Sequence, residues 1–286
     1  MKEEPTRGSD PPGRPPPPPI EIETDKGLYL PEIDFWLDPS RVKPHAFVSH
    51  AHADHFRRHE RILCSPATAT ILRARYNVAA ERLDPLAFDE TRELDGFQIR
   101  LFPAGHIFGS AMIHLTRMAD GATLLYTGDF KMRRSLTSEE PVFRRADTLI
   151  METTFGRPEF VFPSESEVHG SILNFVNESI EAGEIPVLLA YSLGKAQEAV
   201  AILAEAKVPV VQSTAVAKMT TACRDGGCDL PEPVLFEDSV PEGHALICPP
   251  QTLRSKSFAG VRNARTAILS GWAMNPSAIY RYGVDA

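Results

Sequence analysis

Four cysteines, at 64, 223, 228 and 248, are too few and too irregularly spaced to build a disulfide framework in 286 residues. Their scarcity excludes a small stapled secretory domain and predicts reduced thiols in an intracellular chain. Cys223 and Cys228 flank the turn-like "RDGG", but no tight CxxC pairs supply the four ligands of a structural zinc site. No apolar run is long enough to span a bilayer. The opening "MKEEPTRGSD" also lacks the basic-then-apolar order of a secretion signal, so the expected location is the cytoplasm. Positive charge is short as well. Thirty Lys and Arg against 38 Asp and Glu leave a net charge of −8 and a pI near 5.6. That deficit excludes a surface coated for nucleic-acid binding over its whole extent. It leaves room for a local basic groove or a metal pair that holds phosphates, and arginine pairs occur at 57–58, 133–134 and 144–145.

With 43% hydrophobic and 24% charged residues, the chain can bury a sizeable core as one large domain or two ordinary ones. Residues 1–19, ending in "PPGRPPPPP", cannot pack and predict a disordered, polyproline-like tail. Order is expected from "IEIETDKGLYL", which alternates apolar and polar residues around a turn, as in a hairpin. Strand-like runs follow: "FWLD", "AFVS", "FQIRLFP", "AMIHLT", "TLLYT" and "TLIME". Asp95-Gly96 and Asp120-Gly121 mark turns between them. One helix should start in "SPATATILRARY", with Ser65 as N-cap and Pro66 in its first turn. The texture changes after about residue 155. "PSESEVHGSILNFVNESIEAG" opens with a Ser164/Glu167 capping box and closes on Gly183. "PVLLAYSLGKAQEAVAILAEAKVPVVQ" then reads strand, helix, strand, as in a parallel βαβ unit. A β-rich domain over 20–160 and an α/β domain over 161–286 are therefore expected.

The segment "FVSHAHADHF", residues 47–56, holds three of the nine histidines around one aspartate. His50, His52 and Asp54 alternate, so in an extended segment they point the same way, with His55 on the other side of the turn. Such a stretch can serve two adjacent metal ions, and imidazole with carboxylate suits zinc, manganese or iron. The aliphatic "AFV" before it would anchor the ligands on a rigid strand. His106 follows in "FPAGHIFGSAM", between glycines that let the backbone approach closely, and Asp129 in "LLYTGDF". A lone histidine or a strand-end aspartate is ordinarily structural. Three imidazoles within six residues are not typical of a solvated loop.

HxHxDH at 50–55, followed by His106 and Asp129, resembles the metallo-β-lactamase fold. The resemblance implies an αββα sandwich with two divalent metal ions at one edge, zinc or alternatively manganese. His50, His52 and His106 would hold the first ion, Asp54 and His55 the second, and Asp129 would bridge. Asp38, in "FWLDPS", would support the ligand loop without binding metal. Two cations about 4 Å apart activate a water and stabilise charge on a phosphoryl or acyl oxygen. Glu152 in "METTFG" and the later "YSLGKAQEA" resemble the β-CASP branch, whose members are nucleic-acid-processing nucleases. There an acidic residue lies beside the metals and an α/β cap domain covers the site. The run from "GLYLPEIDFWLDP" to "SGWA" is most similar to bacterial DNA-ligase-associated exonucleases, also described as RNA 3′-end-processing-factor-like. It covers most of the chain after residue 20.

The resemblance implies a metal-dependent phosphodiester hydrolase, a DNA exonuclease in repair, with Asp54, Asp129 and Glu152 as catalytic carboxylates. Nucleic acid would be the substrate, DNA favoured over RNA, and DNA ligase or other repair proteins the partners. An RNA-processing nuclease shares every motif. A lactamase or thioesterase would leave "METTFG" and the α/β half without purpose. Gly194-Lys195 is no phosphate loop, because GxxxxGK[ST] is not satisfied. Lys195 starts a helix and is a candidate contact to a nucleic-acid backbone. The branch also carries two later histidines, one in an "SDHAD"-like stretch and one in an "HG" turn. His169 and His244 match neither context, and the chain stops at "YRYGVDA". The expectation is a missing C-terminal return to the first domain, a weaker second metal and impaired nuclease activity. A nucleic-acid-binding chain with impaired catalysis is the corresponding alternative.

Overall fold

The structure is a computed structural model that describes residues 17–286 apart from Pro276, so most of the expected proline-rich tail lies outside the described residues. The chain enters through β1 (Glu23–Thr24) and β2 (Leu28–Leu30), an antiparallel hairpin. β3 (Phe35–Leu37) pairs antiparallel with β2. From there the sheet grows in parallel through β4 (His45–Phe47), β5 (Arg61–Cys64) and β6 (Leu83–Pro85), in chain order. The parallel step from β5 to β6 needs a crossover, and α1 (Pro66–Tyr76) supplies it. The Ser65 hydroxyl accepts from the Thr68 amide, Pro66 sits at the first position, and Asn77 ends the helix in a left-handed conformation.

A second sheet is an antiparallel meander of β7 (Thr91–Leu94), β8 (Phe97–Pro103), β9 (Ala111–Arg117) and β10 (Thr123–Tyr126), with β11 (Thr148–Ile150) parallel at its edge. Asp95 and Gly96 both have positive φ, 46° and 83°, as a tight two-residue hairpin turn requires. Along β8, Phe97, Ile99 and Leu101 turn inward while Gln98 and Arg100 stay exposed. The inward set packs on Phe35, Leu37, Phe47 and Leu63 of the first sheet, so the two sheets share one core. On the far side of the first sheet, Ile62 and Cys64 meet Ile71 and Leu72 of α1. Full burial of a side chain such as Ile71 contributes about 1.5–3 kcal/mol. Over the far side of the second sheet, the described residues place the β10–β11 loop. Its Phe130, Val142 and Ala146 cover Phe102, Met112 and Leu125.

Beyond residue 160 the capping box forms: the Ser164 hydroxyl accepts from the Glu167 amide, and the Glu167 carboxylate accepts from the Ser164 amide. It opens α2 (Glu165–Glu181). β12 (Ile185–Leu189), α3 (Lys195–Glu205), β13 (Val210–Gln212), α4 (Thr214–Asp225), β14 (Val234–Leu235), β15 (Ala245–Cys248) and β16 (Ala264–Ile268) complete an all-parallel sheet. Its order is β14-β13-β15-β12-β16. The strand–helix–strand unit read from the sequence is present, but its strands are not neighbours. β15, apolar and buried along its whole length, takes the place between them, as a strand covered on both faces does. The apolar core does not stop at residue 160. Val48, Ile62, Ile71 and Leu72 share one cluster with Val176, Leu188, Val200 and Ile247, and α1 packs on α4.

Candidate metal centre

β4 ends at Phe47, and the chain then turns instead of continuing extended. His50 and His52 therefore face inward, whereas the Asp54 side chain points to solvent and is 79% exposed. The strand alternation expected for these three residues is lost in the turn. Arginines hold its carbonyls: Arg75 Nη1 donates to Ala51 O at 3.0 Å, and Arg57 Nη1 to Ala53 O at 2.7 Å. His106 arrives on the β8–β9 loop, where Ser110 Oγ accepts from the amides of His106 and Ile107 at 3.0 and 3.2 Å. Asp129 follows β10 and Gly128. At Gly128, with φ of 54°, a Cβ would lie 2.6 Å from that of Ser49, so only glycine lets the two loops meet.

Two trios result, His50–His52–His106 and His50–His55–Asp129, with the candidate ligand atoms of each within 4.8 Å of one another. Hydrogen-bond partners assign the protons. The Ser49 hydroxyl donates to Asp38 Oδ2 at 2.5 Å, so it accepts from His50 Nδ1 at 3.0 Å and leaves His50 Nε2 bare. The Leu193 carbonyl can only accept. It lies 3.1 Å from His52 Nε2 and leaves His52 Nδ1 bare. These two bare nitrogens are 3.0 Å apart, and His106 Nε2 is 3.3 Å from the same His52 atom. Facing lone pairs repel at that distance. A proton between them is opposed by burial first, then by the neighbouring imidazoles, which together hold His50 well below its ordinary pKa. His52 is lowered chiefly by burial, and His106 falls to about 4 through burial and His52. A divalent cation converts the repulsion into coordination, and a set of neutral imidazoles fits a zinc-like ion.

The second trio is ionic. Burial pulls the His55 pKa down, but its bonds to Asp129 and Asp38 prevail and raise it to about 10. Burial raises Asp129, yet His55 and the other histidines draw it below its ordinary value. Asp129 Oδ1 lies 3.3 Å from His55 Nε2; its Oδ2 lies 3.7 Å from His106 Nε2 and 4.0 Å from His50 Nε2. One carboxylate thus addresses both groups. Asp38 stands behind the cluster, its left-handed backbone (φ 42°) aiming the carboxylate back at the loop. It accepts from the Ser49 amide and hydroxyl, from His55 Nδ1 at 2.8 Å and from Tyr126 OH at 2.9 Å.

Besides Asp38, three of the sequence-predicted residues stand outside the trios. Asp54 Oδ2 is at the rim, 3.9 Å from His55 Nε2. Glu152, just past β11, accepts from the Thr154 amide at 2.8 Å. Lys195 begins α3 and pairs with Glu198 at 3.2 Å, as Lys131 does at 2.6 Å. Sequence reasoning missed Ser49, Tyr126 and the Leu193 carbonyl. Only the last had a signal, its place in "YSLGK".

No family model matches the chain. It is 43% identical over 270 residues to a protein of Opitutus terrae named "Probable DNA ligase", a match covering 94% of this chain and 26% of that one. It is 29% identical over 216 residues to an RNase J-like protein of Methanocaldococcus jannaschii, 64% of this chain and 50% of that one. It is 30% identical over 158 residues to the DNA cross-link repair protein SNM1 of Arabidopsis thaliana, 52% of this chain and 32% of the relative. The chain thus spans about a quarter to a half of the length of these relatives.

Proposed function

We propose that this chain, which belongs to the β-CASP nuclease branch of the metallo-β-lactamase fold, is a metal-dependent phosphodiester hydrolase that trims DNA ends in repair. The observation that carries the reading is the pair of trios that share His50 and are spanned by Asp129. His50, His52 and His106 hold one divalent cation; His55 and Asp129, with Asp54 from the rim, hold a second, zinc or manganese. Bound there, the ions supply an acidified water and counter-charge for phosphoryl oxygens. Asp129 offers one oxygen to each group. Asp38 keeps His50 oriented through Ser49 and His55 oriented directly, the outer-shell role that sets imidazole direction in metal sites. Glu152, just past β11, adds a further candidate carboxylate, and Lys195 a cation for the nucleic-acid backbone. In this reading 20–160 form the sandwich that bears the metals and 161–286 the cap over it.

The relatives named for DNA cross-link repair and as a DNA ligase favour DNA and a partnership with ligase or other repair proteins. The RNase J-like relative favours the second reading, RNA processing. No helix among the described residues is long and apolar enough to cross a membrane. The test uses end-labelled DNA, as single strand and duplex, and RNA of the same sequence, with the chain and zinc or manganese. A ladder from one DNA end is expected, stopped by EDTA and absent in Asp129→Ala. Preferential cutting of RNA would replace the first reading by the second. Cleavage that survives Asp129→Ala, or a chain that binds no metal by elemental analysis, would overturn both.

A further inference from the structure

Four aromatic rings lie outside the apolar cores: Phe155, Phe160, Phe162 and Trp272 belong to none of the buried clusters. They nevertheless pack on one another. The Phe155 ring centroid is 5.1 Å from those of Phe160, Phe162 and Trp272, Phe160 lies nearly parallel to Phe162, and Trp272 meets Phe160 edge-on at 6.0 Å. The rings come from two distant segments, the stretch after β11 and the turn after β16. Gly271 lets them meet, since a Cβ there would come 2.7 Å from Phe155 Cζ. Trp272 keeps 43% of its surface exposed. An assembled set of rings left open to water marks a binding surface more often than a packing fault.

Charge and position indicate the occupant. The Arg133 guanidinium lies 5.4 Å over the Phe162 ring and donates to Phe162 O at 2.7 Å, so a phosphate-matching cation is built into the platform. Arg133 is four residues from Asp129, no more than about 14 Å along a fully extended chain. Glu152 lies three residues before Phe155 in the chain. Flat apolar faces with an adjoining guanidinium, beside a site for phosphodiesters, suit unstacked nucleobases and their backbone. A duplex hides those faces.

We propose that Trp272 and Phe160, backed by Phe155, Phe162 and Arg133, stack the unpaired bases of a single strand led to the metal centre. The inference rests on the nuclease reading and adds to it a preference for single-stranded ends. The chain has two tryptophans, and the other, Trp36, is buried against Tyr29, so indole emission reports on Trp272. The full chain in EDTA is titrated with an eight-nucleotide oligothymidylate, an abasic strand of the same length, and a blunt duplex. Oligothymidylate quenches emission, while the abasic strand and the duplex do so far less. Trp272→Ala weakens anisotropy-measured binding about 10-fold, the size of one base–aromatic stack, and Trp272→Phe restores it to within about threefold. Equal affinity for the abasic strand, unchanged binding in Trp272→Ala, or equal loss in Trp272→Phe overturns the stacking role while leaving the nuclease reading in place. Emission that shifts with protein concentration alone would assign the platform to a second copy and also overturn it. If no strand binds in EDTA, the stacking role falls, and the nuclease reading stands or falls on the cleavage assay with metal.

Discussion

The half-buried imidazoles around His52 and the fully buried amides around Gln197 are both crowded polar clusters, yet only the second set satisfies itself. Gln197 Nε2 donates to Ser192 O and Thr220 Oγ1, each at 3.2 Å, and its Oε1 accepts from the Gly194 amide at 2.8 Å. Thr220 in turn donates to Gln212 Oε1 at 2.7 Å. None of the buried atoms of this network lacks a partner. In the imidazole cluster, by contrast, hydrogen bonds at the back of the His50 and His52 rings force their bare nitrogens together at the front. A complete network fixes one packing of the parallel sheet. An incomplete one waits for something the chain does not contain. The inventory of donors and acceptors is what separates the two.

Three measurements can break or sharpen that contrast. The largest effect is expected at Asp38→Asn, which removes the anion that holds Ser49 and His55. Metal affinity should fall about 10- to 100-fold, as for other outer-shell partners, read by competition with a chromophoric chelator; unchanged affinity would mean that the ligands orient themselves. Thr220→Val comes next. It strands Gln212 and Gln197 and should cost about 1–3 kcal/mol in denaturant unfolding, with metal stoichiometry unchanged. A loss of metal in this variant would join what the comparison separates. The smallest effect concerns His59, buried with Nε2 unpartnered and Nδ1 accepting from the Lys43 amide at 3.1 Å. Burial lowers its pKa to about 4, so the unfolded chain binds the proton more readily. The stability this neutral ring contributes is present above pH 6.5 and is lost as pH falls towards 4. His59→Asn keeps an acceptor and cannot titrate, so thermal melts between pH 7 and 5 should show a shallower decline than the wild type.

Local chemistry was legible where short-range rules apply. The Ser65 cap, the Ser164/Glu167 box and the Asp95-Gly96 turn each depend on residues within a few positions, and each forms. The composition of the ligand cluster was legible too, since histidines are scarce and crowded. Its geometry was not. Asp54 leaves the expected row because the chain turns after Phe47, which no period-2 pattern reveals. The proton arrangement on His52 depends on a carbonyl 141 positions away. The place of β15 between β12 and β13, and the core that runs across residue 160, are likewise long-range outcomes of packing, invisible to any local window.

That distant carbonyl has a consequence for how the two halves communicate. Leu193 belongs to the loop leaving β12, and Gly194 beside it sits so close to Ile107 that a Cβ there would come within 2.5 Å of that side chain. The tight fit at Gly194 holds the Leu193 carbonyl where it meets His52. The exit of β12 therefore takes part in orienting His52, and a change in its backbone would alter the bond that fixes that ring's tautomer.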